Sequence, residues 1–247
     1  MKVGIIGAGG IAVTMARTLN QMEDATAYAV ASRSLEKAET FAKEHQVEKA
    51  YGSYEEMLQD PEVELVYVAT PHSHHYECMK LALCYGKPVL CEKAFTANAE
   101  QAEEILSISE EKKLFVGEAM WTRFLPSRKM IDEVVSSGEI GQVHMITANL
   151  GYDIRMVERL RNPALAGGAL LDVGIYPLTF IRMITSSKIT SIDTSCVKLE
   201  TGVDAQNTVT FVFEDGCMAT MHSSMLGGTE QAGIVYGDKG YLIVLNL

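Results

Sequence analysis

A glycine-rich turn directly after the first apolar run is the feature that most constrains the fold of this chain. Residues 3–6 read as a buried strand, and the turn that follows has Gly7, Gly9 and Ala12. This spacing is the G-x-G-x-x-G/A fingerprint of dinucleotide-binding turns between a strand and a helix. Gly7 permits the tight turn, Gly9 lets a pyrophosphate approach the main chain, and Ala12 allows close packing of helix on strand. The sequence therefore predicts a nucleotide site at the start of the first helix.

The helix after this turn is expected to direct unpaired backbone N–H groups and its positive dipole end at the phosphates. We predict that the pyrophosphate lies over Gly9 and Gly10, beside Ile11. Apolar residues that recur at helical spacing predict the face that packs on the sheet, and they are Ile11, Met15, Leu19 and Met22.

Strand-like and helical segments alternate through the first half of the chain. Apolar runs at 26–32, 64–70, 88–91 and 114–120 are separated by helical patterns at 34–45, 53–60, 71–85 and 98–112. This alternation predicts a parallel sheet with right-handed crossovers, and such sheets bind ligands at the carboxyl ends of their strands. The residues expected at those ends are Thr70, Pro71, Glu92, Lys93 and Glu118.

The pattern changes after Trp121 and predicts a second domain. A helix near 127–137, a long strand at 142–152, a polar loop and a helix from about 167 to 185 are followed by strand-like runs at 189–200, 206–214, 217–225, 231–236 and 241–246. Asp215-Gly216 is a hairpin signal between two of these runs. We predict an α/β protein with a Rossmann domain at 1–120 and an α+β domain at 121–247, whose open sheet is mainly antiparallel.

The cofactor preference is predicted from the end of the second strand. NAD-preferring sites carry an Asp or Glu there for the ribose 2′-hydroxyl, whereas this chain reads Ser32-Arg33-Ser34. Arg33 with Ser32 could hold a 2′-phosphate by charge-assisted hydrogen bonds, and Lys37 would add positive potential one helical turn on. The alternative is an exposed arginine at a helix start. We favour NADP(H), with NAD(H) as the other candidate.

Three residues are candidates for proton transfer. Lys93 lies just beyond a buried strand, and an ammonium near a positively charged nicotinamide is destabilised, which favours proton donation. The alternative is a surface lysine paired with Glu92. Asp172 and Tyr176 are spaced i, i+4 on one helix, where a carboxylate and a phenol could orient and protonate a hydroxyl or carbonyl. The alternative is an aspartate favoured by the helix dipole and a tyrosine packed in the core.

Composition restricts the partners. A net charge of −11 repels phosphate backbones, so no nucleic-acid partner is expected. We find no apolar run long enough to span a bilayer, and a strand starting at residue 2 leaves no room for a signal peptide. The five cysteines form no Cys-x-x-Cys pair, which favours a reduced, cytoplasmic protein. His72, His74 and His75 cannot all face one ion, so no metal is expected; one of them is expected near the nicotinamide.

Five segments resemble the Gfo/Idh/MocA oxidoreductase family, and the resemblance is strongest to its dimeric dihydrodiol dehydrogenase branch. They read GIIGAGGIA at 4–12, ATPHSHH at 69–75, VLCEKA at 89–94, EAMWTRF at 118–124 and GGALLDVGIYP at 167–177. The resemblance implies a Rossmann domain followed by a domain with an open sheet used for dimerisation. It also implies NADP-linked hydride transfer between nicotinamide C4 and a carbinol carbon of a diol, polyol or sugar-like substrate.

The resemblance also implies roles for individual residues. Lys93 matches the catalytic lysine, Tyr176 its proton-transfer partner and Asp172 the substrate-orienting carboxylate. Cofactor-side positions are implied for Thr70, Pro71, His75, Glu92, Trp121 and Arg123. The chain departs from the family where Ala94 replaces the proline of Glu-Lys-Pro, and where it stops after the strand at 241–246, so a truncated sheet is expected. These departures favour the alternative of a non-catalytic NAD(P)-binding sensor or structural protein, which the retained Lys93, Asp172 and Tyr176 disfavour.

Overall fold

The computed structural model describes residues 1–246, which form two compact units. The first comprises Met1–Ala119 and the second begins at Met120.

A six-stranded parallel sheet forms the centre of the first unit. Its strands are β1 (Lys2–Ile6), β2 (Thr26–Ala31), β3 (Lys49–Tyr51), β4 (Leu65–Val68), β5 (Val89–Cys91) and β6 (Val116–Glu118). They lie in the order β3-β2-β1-β4-β5-β6, and every neighbouring pair is parallel. The order reverses between β1 and β4, which is the switch point at which Rossmann sheets bind dinucleotides. The predicted Rossmann sheet is thus confirmed.

Three of the five helices of this unit begin after a residue whose side chain caps them. The five helices are α1 (Gly10–Leu19), α2 (Leu35–His45), α3 (Tyr54–Gln59), α4 (His72–Cys84) and α5 (Ala99–Lys112). The side chains of Ser34, Ser53 and Asn98 accept hydrogen bonds from the main-chain N–H three residues on, at 3.3, 3.2 and 3.0 Å. Each cap satisfies an N–H that has no partner within its helix.

The buried face of α1 agrees with the prediction in part. Leu19 is buried and Met15 packs half-buried against the core, as predicted, whereas Ile11 and Met22 are each 45% exposed. Ala12 and Ala16 are buried as well, because alanine side chains let α1 approach the strands closely after the glycine turn. Met22 lies beyond the end of the helix.

A mixed sheet forms the second unit. Its strands are β7 (Val143–Gly151), β8 (Ile189–Lys198), β9 (Asp204–Phe213), β10 (Met218–Ser224), β11 (Ala232–Gly237) and β12 (Tyr241–Leu245). The order is β12-β11-β7-β10-β9-β8, with β7 and β10 parallel and the other pairs antiparallel. The mainly antiparallel sheet is confirmed, and β9 and β10 form the hairpin signalled by Asp215-Gly216.

Helices of the second unit are α6 (Pro126–Ser137), α7 (Glu158–Arg161) and α8 (Ile175–Ile184). Two 3₁₀ helices span Trp121–Phe124 and Pro163–Leu165, and a π-helical turn, Leu170–Gly174, leads into α8. The helix expected from 167 to 185 therefore begins as a π turn, and the predicted polar loop contains α7. Phe180 and Ile181 of α8 belong to the core of this unit together with Ile146 and Phe211.

One stretch corrects the expectation about membrane spans. Pro163–Ile184, 22 residues that contain an 18-residue window with a mean hydropathy of 1.6, is long and apolar enough to cross a bilayer by length and composition. Half of that window is buried inside the structure, and core helices of globular proteins meet the same two criteria.

Candidate functional site: the dinucleotide turn and its neighbours

The glycine turn has the geometry that a pyrophosphate requires. Gly7 has a φ of +102°, and a Cβ there would lie 2.8 Å from the carbonyl oxygen of Ala69, so glycine is needed on both grounds. A Cβ on Gly9 or Gly10 would meet nothing within 4 Å. Gly9 caps α1 without any side-chain hydrogen bond to the first-turn N–H groups. The turn thus offers open space and main-chain donors, which is how helix N-termini hold phosphate groups.

A cavity of about 540 Å³ lies beside this turn. Its lining includes Gly9, Gly10, Ser34 and Lys37, so the structure brings the predicted Lys37 to the glycine turn. Ser32 is nearly buried at the end of β2, and its hydroxyl accepts a hydrogen bond from the Ser34 N–H at 3.5 Å.

Arg33 is exposed directly after β2. Burial raises the pKa of the Cys78 thiol in α4 to about 11, and the Thr70 hydroxyl and the positive charge of Arg33 oppose that shift. Thr70 and Pro71 follow β4, and Pro71 caps α4. The cofactor contacts predicted for Arg33, Thr70 and Pro71 stay predictions.

The main chain around Lys93 is held by carboxylates on both sides. Glu92 accepts hydrogen bonds from the Tyr67 hydroxyl and from the Lys93 N–H, the latter at 3.3 Å. Glu118, at the end of β6, accepts from the Phe95 N–H at 2.9 Å. Lys93 itself is half-buried, and the Lys93–Ala94 peptide bond is cis.

Tyr67 stays a hydrogen-bond donor to Glu92 over the whole physiological range. Burial and the negative charge of Glu92 raise the pKa of its phenol far above the ordinary value. The Glu92 carboxylate is therefore fixed from the strand below it.

The three clustered histidines point to different partners. His75 is 1% exposed, and its Nδ1 and Nε2 lie 2.7 Å from the Ala94 carbonyl oxygen and 2.9 Å from that of Thr70. The His72 ring packs edge-on against His75, with centroids 5.7 Å apart, and His74 Nδ1 lies 2.9 Å from the Ser73 hydroxyl. Within residues 1–246, no group of three or more His, Cys, Asp and Glu side chains could hold a metal ion.

Asp172 and Tyr176 of the second unit have different surroundings. Asp172, in the π turn, is 6% exposed and accepts a hydrogen bond from Arg159 Nη1 at 2.8 Å. Tyr176 is half-buried at the start of α8, and its hydroxyl accepts from the indole N–H of Trp121 at 3.2 Å. The catalytic roles of both residues stay predictions.

Sequence reasoning missed two residues that hold this region. Arg159, in α7, pairs with Asp172, and its only signal was a loop containing three arginines. Asp204, at the start of β9, accepts from the Leu170 N–H at 2.7 Å and from Asn207 Nδ2 at 2.9 Å. A Cβ on Gly168 would collide with Asp204, so this loop packs tightly where the π turn begins.

Trp121 and Arg123 lie on the 3₁₀ helix at the start of the second unit, and both are exposed. The Trp121 ring meets the Tyr176 ring edge-on, with centroids 6.2 Å apart. The cofactor-side positions of Trp121 and Arg123 stay predictions.

A parallel sheet in Rossmann order, an open glycine turn at its switch point and a second unit with a mixed sheet together define a dinucleotide-binding enzyme fold. The chain belongs to the oxidoreductase family with an NAD-binding Rossmann fold, GFO_IDH_MocA, whose family model matches residues 1–119. The GFO/IDH/MocA C-terminal domain matches residues 129–243. Membership agrees with the resemblance seen in the sequence.

Similar proteins include a trans-1,2-dihydrobenzene-1,2-diol dehydrogenase from Bos taurus, which is 38% identical over 250 residues, covering all of this chain and 74% of that protein. Among solved structures, GenD2 from gentamicin A biosynthesis, in complex with NAD, has a TM-score of 0.92 at 23% identity over 99% of this chain and 72% of its own. KijD10, a 3-ketoreductase from Actinomadura kijaniata in complex with NADP, has a TM-score of 0.89 at 24% identity over 100% and 76%. These two structures share the fold and differ in their cofactors.

Proposed function

We propose that this chain is an NADP(H)-dependent dehydrogenase or reductase that acts on a CH–OH group of a diol, polyol or sugar-like substrate. The observation that carries the proposal is the open glycine turn, where two side-chain-free residues and the uncapped start of α1 fit a pyrophosphate. The substrate class is supported by the 38% identity to a dihydrodiol dehydrogenase over the whole chain.

The cofactor and the protein have separate roles in this reaction. When bound, the nicotinamide supplies or accepts a hydride at C4. Gly9 and Gly10 bind the pyrophosphate through their main chain. Lys93 and Tyr176 exchange the hydroxyl proton, and Asp172 orients the substrate. General acid–base catalysis of this kind contributes about 10² to 10⁴ in rate.

The experiment is an assay of polyols, aldoses and trans-diols with NADP and NAD, followed by NADPH or NADH absorbance. We expect turnover with at least one diol or polyol, and we expect Lys93→Met to lower kcat by about 10²-fold or more while the cofactor still binds. Lys80→Met is the matched control, because Lys80 of α4 is a half-buried lysine, as Lys93 is, and it pairs with Glu104 of α5.

Two outcomes would count against the proposal. Turnover of Lys93→Met within a few-fold of the parent would remove Lys93 from the mechanism. Tight binding of NADP with no turnover across the substrate panel would favour the non-catalytic sensor instead.

A further inference from the structure

His75 joins the ends of two neighbouring strands through their main chain. Its ring lies between the Thr70 carbonyl, which follows β4, and the Ala94 carbonyl, which follows β5, at 2.9 and 2.7 Å. His75 is 1% exposed and Ala94 3% exposed, so water does not replace the contact between them at low cost.

Each contact is a hydrogen bond only when the ring nitrogen carries a proton, because a carbonyl oxygen can only accept. The neutral ring carries one proton, and the imidazolium carries two. Burial lowers the pKa of His75, whereas the two carbonyls and the Glu92 charge raise it and the Lys93 charge lowers it. The edge of the His72 ring also faces His75. The shorter contact, to Ala94, is the one for which we expect the proton.

The bond to Ala94 completes a set of main-chain supports around Lys93. On the preceding side, Glu92 accepts from the Lys93 N–H. On the following side, Glu118 accepts from the Phe95 N–H. The Ala94 carbonyl lies between these supports, and His75 holds it from α4. Two elements, α4 and β6, thus hold the short segment that carries the Lys93 side chain, and Glu92 supports it from within the segment.

We propose that His75 is a positioning residue, whose Nδ1–H bond to the Ala94 carbonyl fixes the main chain at Lys93 and thereby the place of the Lys93 amine. The proposal rests on the catalytic role of Lys93 in the proposed function. It assigns the buried ring to the protein main chain, whereas the family resemblance suggested a cofactor-side position.

Two substitutions distinguish the roles of the two ring nitrogens of His75. In His75→Asn the side-chain amide takes the place of Nδ1 and keeps a donor for Ala94. In His75→Gln the amide takes the place of Nε2 and keeps a donor for Thr70. We expect His75→Gln to lower kcat by at least about tenfold, since small misplacements of catalytic groups are costly, and His75→Asn to lose much less. KM for the cofactor should change little in both variants.

A second readout does not require turnover. The rate at which a small amine-reactive reagent acylates Lys93 in the nucleotide-free protein, measured by peptide mass spectrometry, should change in His75→Gln and stay near the parent rate in His75→Asn. His144→Gln, which changes an exposed histidine of β7, is the control for the substitution itself. This readout decides the proposal even if the parent protein turns over no tested substrate.

Several results would overturn the positioning role. Equal loss of kcat and equal Lys93 reactivity in the two variants, at equal thermal stability, would indicate a purely structural histidine. A rise in cofactor KM without a change in kcat would indicate that His75 contributes to cofactor binding instead. If neither variant folds, ¹⁵N NMR of the parent protein still decides, because an unprotonated Nδ1 contradicts the bond to Ala94 and a protonated Nδ1 supports it.

Discussion

At the scale of single residues, the cofactor preference depends on what ends β2. Ala31 closes the strand, and Ser32 and Arg33 occupy the place at which an acidic residue would bind the ribose 2′-hydroxyl of NAD. Arg33 is exposed, and a guanidinium there can form charge-assisted hydrogen bonds to a 2′-phosphate.

We expect Arg33→Ala to weaken NADP(H) by at least about tenfold relative to NAD(H), the scale of a lost hydrogen bond to a charged group. Dissociation constants for both nucleotides, measured by fluorescence titration, check this. Arg17→Ala, on the exposed side of α1, is the control. Equal weakening of both nucleotides would refute the assignment of Arg33 to the 2′-phosphate.

At the scale of elements, an ion pair between Arg159 and Asp172 connects two segments. Arg159 lies in the loop that contains α7, and Asp172 lies in the π turn. Asp172 is buried, whereas Arg159 is 45% exposed at its side chain. The Asp172 carboxylate would therefore lose its guanidinium partner if the loop moved, and a buried carboxylate without its partner is strongly disfavoured. Asp204 anchors the first residue of the same turn, Leu170, through its main-chain N–H.

We expect Arg159→Ala to lower kcat/KM for the substrate by about tenfold or more, because the Asp172 carboxylate would no longer be held in one orientation. Arg159→Lys should restore part of the loss. Arg155→Ala is the control, since Arg155 pairs with the exposed Asp153 in the same loop. Steady-state kinetics with a diol that the parent enzyme converts give kcat/KM for all three variants. If Arg159→Ala is as active as Arg155→Ala, Arg159 does not support the site.

At the scale of the whole molecule, the sheet of the second unit has one covered and one open face. Phe180 and Ile181 of α8 share a core with strand residues of one face. On the other face, paired residues form an apolar row across four strands: Tyr236, Met145, Met218 and Val212. Met145 and Met218, in the centre of the row, are 49% and 44% exposed. A row of apolar residues with two exposed methionines at its centre is a feature of interfaces, and we propose that a second copy of the chain covers it.

We expect the parent protein to be a dimer or a larger homo-oligomer by light scattering coupled to size-exclusion chromatography. Met145→Glu combined with Met218→Glu should dissociate it, because each would bury a charge in the interface. Met156→Glu, on the exposed loop of the same unit, should leave the assembly unchanged. A monomeric parent protein would refute this interface.

Local signals in the sequence determined much of the fold of this protein. Glycine at 7 and 9, the caps Ser34, Ser53 and Asn98, and the Asp215-Gly216 turn act within a few residues, so their structures could be predicted before any packing was known. The order of strands and helices then predicted the parallel sheet. The strand β3 was missed because Lys49-Ala50-Tyr51 contains no apolar run, unlike the equally short β5, Val89–Cys91.

Only the tertiary structure decided which side chains meet. The bond of His75 to Ala94 joins residues 19 apart, the Arg159 pair with Asp172 spans 13, and the contact of Trp121 with Tyr176 spans 55. The burial of Ala12 and Ala16 of α1 likewise depends on how closely the helix approaches the strands. The physical reason is that hydrophobic periodicity shows that a face is buried, whereas hydrogen bonds and ion pairs depend on distances between elements that only packing sets.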